Sequence, residues 1–336
     1  MWFQAELYKL LHGSPSLPHA LLIKGARGIG KQIFAQSVAQ ALLCEDRSAQ
    51  ASACGQCAAC TWFLNGTHPD FKVISPITDE MVEASAESEG PKLKSSAWIV
   101  IDQIRQISDF IHVSGHRRGP RVVLIHPAET LNPNAANALL KNLEEPPPGV
   151  HFLLVTHRPH SLVPTILSRC QQLSLPLPNH QSAIQWLTDQ GVSQSELALA
   201  LSSGAPLLAL SRHQEGAFNG RNELFAKISQ ADFDPVSTAD SLSEQPLERF
   251  LAWMQQWTYD INSQILINKV RYNIDFKSKI ESISNMVNRN SMLRLHRLLI
   301  REQRTVQHPL NTKLYIETVL MAYSAAISTK QVTDVY

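Results

Sequence analysis

One stretch constrains this chain more than any other: Gly25-Ala26-Arg27-Gly28-Ile29-Gly30-Lys31, a loop of the form G-x-x-x-x-G-K. Such a loop needs a buried strand before it and a helix after it. Its backbone N–H groups and its lysine then cradle phosphates at the helix N-terminus. The flanks fit. His19-Ala20-Leu21-Leu22-Ile23-Lys24 is a short apolar run, and residues 33–43 place Ile33, Phe34, Val38 and Leu42 near one helical face. The next position, where Ser or Thr would ligate Mg²⁺, is Gln32. A longer amide side chain replaces a compact hydroxyl ligand poorly, so the loop reads as built and then disarmed.

Beyond the loop, strand and helix signals alternate up to residue 177. Asp102 to His112 puts Ile104, Ile107, Phe110 and Ile111 on one stripe. Val122-Val123-Leu124-Ile125 and Phe152-Leu153-Leu154-Val155-Thr156 are further buried strands. Between them Asn132-Pro133 starts a helix, with Asn as N-cap and Pro in the first turn. Ala136, Leu139, Leu140 and Leu143 form its apolar face, and Pro146-Pro147-Pro148 ends it. This alternation predicts a parallel sheet covered by helices. Pro176-Leu177-Pro178 marks a boundary, after which strand signals fade. A small helical unit follows over 178–218, and an all-helical region over 219–336, where Leu247, Phe250, Met254, Trp257 and Ile261 recur at core spacing. Residues 77–97, with several Glu and Ser, read as a solvated insertion.

At 336 residues the chain is long enough for two or three domains with real cores. Thirty Lys and Arg against 29 Asp and Glu leave no overall field for a nucleic acid, so any such contact has to be local or supplied by a partner. No signal-peptide pattern and no membrane-spanning apolar run is present, which points to the cytoplasm and reduced thiols. Four of the five cysteines cluster there: Cys44, Cys54, Cys57 and Cys60. Four thiolates suit a closed, structural tetrahedral Zn²⁺ site. A [4Fe–4S] cluster is the competing occupant, and free buried cysteines are the plainer alternative.

The second nucleotide element is where a motor is expected to fail. An active ATPase of this architecture ends a strand with Asp, which holds Mg²⁺, and then Glu, which polarises water. Here His126 and Pro127 stand in those places. Glu129 lies two positions late, and a relocated catalytic base there is the rival reading. Arg169, in Ser168-Arg169-Cys170, could reach a phosphate held by a neighbouring subunit, since an arginine forks onto two oxygens. An ordinary salt bridge is the plainer role. His116, Arg117 and Arg118 form a short basic patch, a solvated turn by default and a phosphate contact otherwise.

Several motifs occur in order. They are the glycine loop, the four-cysteine module (44–60), Thr67-His68-Pro69-Asp70, Asp102-Gln103-Ile104-Arg105, the run from Asn134 through Leu139, Leu140 and Glu144 to Pro147, and Ser168-Arg169-Cys170. Together they resemble bacterial clamp-loader subunits of the AAA+ class, strongly over about residues 19–175. The resemblance implies an AAA+ α/β P-loop NTPase-like domain with a four-cysteine zinc module (1–177), a small helical lid (178–218) and a helical collar for oligomerisation (219–336). It also implies assembly with motor subunits (gamma/tau) and a delta subunit to load a sliding clamp on primed DNA, within a DNA polymerase III holoenzyme. Gln32, His126 and Pro127 depart from the motor pattern, as does Leu207, which falls near the lid position of a phosphate-sensing arginine. These departures resemble the branch that keeps the fold and loses nucleotide chemistry. In that branch Arg169 would act in trans on a neighbour's ATP, and Gly25, Gly28, Gly30 and Lys31 would hold nucleotide weakly or not at all. An ATP-binding motor subunit with atypical Mg²⁺ ligands is the alternative, and a zinc protein that binds DNA directly is a third reading.

Overall fold

The computed structural model describes residues 2–13, 17–46, 53–79, 81–82, 94–112, 119–230, 232–303 and 311–328. Most of the 77–97 insertion and the His116-Arg117-Arg118 patch lie outside these residues. The chain divides into two compact units, Met1–Asn179 and His180–Tyr336.

In the first unit, helix α1 (Gln4–His12) precedes strand β1 (Ala20–Lys24), and helix α2 (Lys31–Leu43) follows the glycine loop. Then come α3 (Ala58–Leu64), β2 (Phe71–Ile74), α4 (Ile101–His112), β3 (Arg121–Ile125), α5 (Pro133–Glu144), β4 (Val150–Thr156), α6 (Pro164–Arg169) and β5 (Gln171–Ser174). The strands form one parallel sheet in the order β2-β3-β4-β1-β5, with Leu22 opposite Leu154 and Leu124 opposite Leu153. The three strands expected from apolar runs are the three interior ones. Both edge strands lack such a run. β2 is half-exposed, and three of the four residues of β5 face solvent. An edge strand with one wet face has no need of continuous apolar residues.

Local chemistry sets the helix positions. Asn132 caps α5, its Oδ1 accepting the Ala135 N–H at 2.8 Å, and Pro133 takes the first turn. Such a cap contributes about 1 kcal/mol. Leu139 and Leu143 are buried as expected, and Leu140 only partly. On α2, Ile33 is 44% exposed instead of buried. The face against the sheet is made by Phe34 and Val38 with the small residues Ala35, Ala39 and Ala41, which let helix and strands approach closely. The Thr67–Asp70 and Asp102–Arg105 motifs act as staples. The Asp70 carboxylate meets Arg121 Nε at 3.5 Å, tying β2 to β3, and Gln103 Nε2 donates to the Ser75 carbonyl at 2.8 Å.

The second unit is helical: α7 (His180–Asp189), α8 (Ser195–Leu201), α9 (Pro206–Gln214), α10 (Arg221–Ile228), α11 (Pro235–Ser241), α12 (Leu247–Ile267), α13 (Lys277–Ser284), α14 (Arg289–Glu302) and α15 (Thr312–Ser328). Helices α7 to α9 share a small apolar cluster around Leu187 and Leu199. A larger core is centred on α12, where Phe250, Met254, Trp257 and Ile261 are buried, as their spacing predicts. Trp257 Nε1 donates to the Tyr323 hydroxyl at 3.0 Å, which satisfies a polar atom deep in that core.

Candidate functional site

The glycine loop sits between β1 and α2 with the backbone its motif demands. Gly30 is left-handed (φ 95°) and stands directly before α2. A Cβ on Gly25 would lie 2.7 Å from the Leu175 carbonyl, so only glycine lets the loop cross the chain leaving β5. Gly28 is left-handed as well. The loop's side chains do something else. Lys31 is only 2% exposed, and its Nζ donates to the Ala26 carbonyl of its own loop at 2.6 Å. Burial pulls its pKa down to about 8, partly opposed by the Glu129 carboxylate. Outside the loop, the Trp2 indole N–H donates to the Ile29 carbonyl at 2.8 Å, and the Phe3 ring packs edge-on against Phe34 of α2. Gln32 points to solvent.

Across the loop, the two places expected to be acidic are held by His126 and Pro127. His126 continues β3, its N–H donating to the Ile74 carbonyl at 2.9 Å. Its ring meets the His157 ring edge-to-face with centroids 5.3 Å apart. Burial lowers both pKa values, and Lys31 nearby helps take His157 to about 4. Both rings are therefore neutral at pH 7, and a hard cation such as Mg²⁺ prefers oxygen ligands. Glu129 is near but engaged. Burial pushes its carboxyl up, yet hydrogen bonds from its own amide, Thr156 and the His157 N–H outweigh this and hold it below the usual range. The His157 N–H lies 3.1 and 3.3 Å from its two oxygens. His157 carries no sequence signal of its own, since it follows a strand without a motif. At the ends of β1, β4 and β5 a cavity of about 450 Å³ is lined by Lys24, Gly25, Ala26, His157, His160 and Gln172.

Arg169 closes α6, away from that loop in sequence and at the sheet edge. Its guanidinium pairs with the Glu144 carboxylate at the end of α5, and it also donates to the Thr165 carbonyl at 3.0 Å. The salt bridge expected as the plainer role is present, with Arg169 32% and Glu144 47% exposed. Ser168 Oγ donates to the Thr165 carbonyl at 3.0 Å, and Cys170 is buried. Leu207 lies in the first turn of α9 in the second unit.

The four clustered cysteines converge. Their sulfurs all lie within 4.8 Å of one another, with Cys44 and Cys57 at 3.9 Å and Cys54 and Cys60 at 4.0 Å. Tetrahedral metal–thiolate bonds of about 2.3 Å require sulfur separations close to these. Cys44 follows α2 directly, and Cys57 is the N-cap of α3. Backbone N–H groups of Cys54, Cys57 and Cys60 point at sulfurs from 3.3 to 3.4 Å. Burial raises the Cys57 thiol, but the N–H donors of Cys60 and Glu45 outweigh it and bring its pKa to about 6. Burial pushes Cys60 up to about 12. These four residues could hold a metal ion as a closed thiolate set.

A parallel five-stranded sheet in this order, with a glycine loop after β1 and helices on its faces, defines a P-loop α/β protein of the AAA+ type. Sequence comparison narrows the class. A family model described as DNA polymerase III, delta subunit matches residues 4–179. The DNA polymerase III subunit delta' of Pseudomonas aeruginosa is 34% identical over 335 residues, covering 96% of this chain and 97% of that one. The subunit of the same name from Escherichia coli K12 is 29% identical, covering 95% and 93%. A Bacillus subtilis subunit tau is 33% identical over 166 residues, 49% of this chain and 26% of that one. The chain belongs to the DNA polymerase III delta' subunit family. Among solved structures, a gamma subunit-related protein from Thermotoga maritima aligns over 96% of this chain with a TM-score of 0.39 and 17% identity, and the assignment rests on the sequence relatives. Among the described residues no helix is long and apolar enough to cross a membrane.

Proposed function

We propose that this chain is the non-motor delta' subunit of a clamp loader, a stator that assembles with gamma/tau motor subunits and a delta subunit to place a sliding clamp on primed DNA. The observation that carries the reading is the replacement of Mg²⁺ chemistry beside the glycine loop. His126 and Pro127 stand where acids would be, the neutral His157 ring packs against His126, Glu129 is engaged by the His157 N–H, and Lys31 binds its own loop. The chain's chemical contribution is Arg169, delivered in trans to ATP on the adjacent motor subunit. Its partner Glu144 is about half exposed, and pairs of that kind contribute only about 0–1 kcal/mol. The guanidinium can therefore exchange Glu144 for a phosphate at little cost. The cysteine set would hold structural zinc, residues 178–218 would form a lid, and 219–336 a collar.

The test is Arg169→Ala in a loader assembled with a single competent motor site facing this chain. Clamp- and DNA-stimulated turnover should fall by about 10³-fold, the usual magnitude for an arginine finger. Unchanged turnover sinks the finger. A second reading, an ATP-binding motor with atypical Mg²⁺ ligands, draws on the intact loop backbone at Gly25 and Gly30. Tight, Mg²⁺-dependent ATP binding with turnover by the isolated chain would favour it.

A further inference from the structure

Charge in the second unit is distributed very unevenly. Residues 269–301 contain eight Lys and Arg but only two acids, in a chain whose formal net charge is +1. All eight basic side chains are exposed: Lys269, Arg271, Lys277, Lys279, Arg289, Arg294, Arg297 and Arg301. The two acids are already engaged. Asp275 binds the buried Arg221 through both oxygens, at 2.7 and 2.8 Å, and Glu281 faces Lys277 at 3.8 Å. Arg301 has only Glu302, 3.7 Å away, and Arg294 and Arg297 have no ion pair among the described residues.

The arrangement is ordered. Spacings of three and four residues put Arg294, Arg297 and Arg301 on one outer stripe of α14, about 5 Å apart along the axis. The inner face of that helix is Met292, Leu295 and Leu299. A row of rings reaches the same helix at His296, next in sequence to Arg297. Buried Asp260 accepts the N–H groups of Arg271, Tyr272 and Asn273, fixing that loop against α12. The Arg271 guanidinium lies 5.4 Å over the Tyr272 ring, Tyr272 is 5.2 Å from Tyr259, and Tyr259 is 6.2 Å from His296 of α14. A line of guanidinium groups alongside partly exposed aromatic rings is the chemistry that holds single-stranded nucleic acid: phosphates on the cations, bases on the rings.

We infer that the Arg294–Arg297–Arg301 stripe and the Arg271–Tyr272 loop form a binding track for single-stranded nucleic acid. The track lies entirely within the second unit and does not depend on the role of Arg169.

The experiment uses the full chain and a fluorescent oligodeoxythymidylate of about 30 nucleotides, with binding read by anisotropy from about 50 mM salt upward. Binding should be measurable at low salt and weaken steeply as salt rises. Single strands lose about 0.7 in log-log slope per phosphate contact, so R294A/R297A/R301A should make the slope shallower by about 2 and weaken binding at least about tenfold. All three side chains are exposed, and an unchanged melting temperature confirms that the variant folds. Tyr272→Ala should weaken binding a few-fold without changing the slope. The proposal is overturned by absent binding at low salt, or by a triple variant that binds like the parent. It is equally overturned by preference for duplex over single strand, or by poly-glutamate competing as well as the oligonucleotide at equal charge, which would mark a surface for an acidic protein.

Discussion

The glycine loop and the cysteine cluster lie on either side of the same helix, α2, and have fared differently. At the N-terminal end of α2 the glycine loop keeps left-handed Gly28 and Gly30, while Gln32, His126 and Pro127 stand at the positions where a motor is expected to carry a hydroxyl and two acids. Past its C-terminal end a complete set of four thiols converges to within 4.8 Å. The difference follows from what each group does for the fold. Gly25 must stay glycine because Leu175 crosses it, and Gly30 because α2 starts from a left-handed residue. Those needs persist without a nucleotide. A Mg²⁺ ligand has no such second job. A four-thiolate set has only one job, and losing any member would leave three unbalanced ligands.

The largest effect expected from this contrast is on the cluster. The purified chain should carry about one equivalent of zinc, and Cys60→Ser should abolish it. Structural zinc sites contribute on the order of 10 kcal/mol of apparent binding energy, so strong chelation should loosen the segment between α2 and β2. Limited proteolysis there, with metal content measured by mass spectrometry, reads both. A metal-free chain whose melting temperature is indifferent to Cys60→Ser would remove one side of the contrast.

A smaller effect is expected from re-arming the loop. If only side-chain chemistry has been lost, Gln32→Thr with His126→Asp should restore Mg²⁺-dependent ATP binding, tightening it about tenfold or more over the parent. Calorimetric titration with and without Mg²⁺ reads this. No gain would mean that the backbone itself has drifted from a phosphate-binding shape, and that the loop persists for packing alone.

Much of this contrast is visible in the sequence, and the reasons are physical. Apolar runs mark β1, β3 and β4 because those strands are buried on both faces, whereas β2 and β5 leave residues such as Val73 and Gln171 in water and carry no run. Cysteine spacing is legible because four like ligands in 17 residues have few other uses. The roles of Glu129 and Lys31 are not legible. Whether a carboxylate is free or engaged by the His157 N–H depends on where β4 ends in space. The Arg169–Glu144 pair joins the ends of two helices 25 positions apart, and only the packed α5 and α6 bring them together. Asp70 and Gln103, within the resemblance motifs, make contacts that hold the sheet and α4 in place, which the sequence alone does not display.

The smallest effect concerns Lys31 itself, and it separates a lysine kept for an anion from one kept for packing. Its folded pKa, about 8, lies below the ordinary 10.5 because burial disfavours the charged form. Between these values the unfolded chain holds more protons than the folded one, so stability should rise as pH climbs from about 8 to 10.5. Below about 8 the full cost of burying the charge is present. Lys31→Met removes that cost along with the bond to the Ala26 carbonyl. The variant should therefore be more stable than the parent at pH 7 by about 1 kcal/mol, and the advantage should fade towards pH 10.5. Denaturant melts at both pH values check it. A variant that is less stable at pH 7 would mean that the bond to Ala26 outweighs the burial cost, making Lys31 a strut of the loop and not a remnant of its former chemistry.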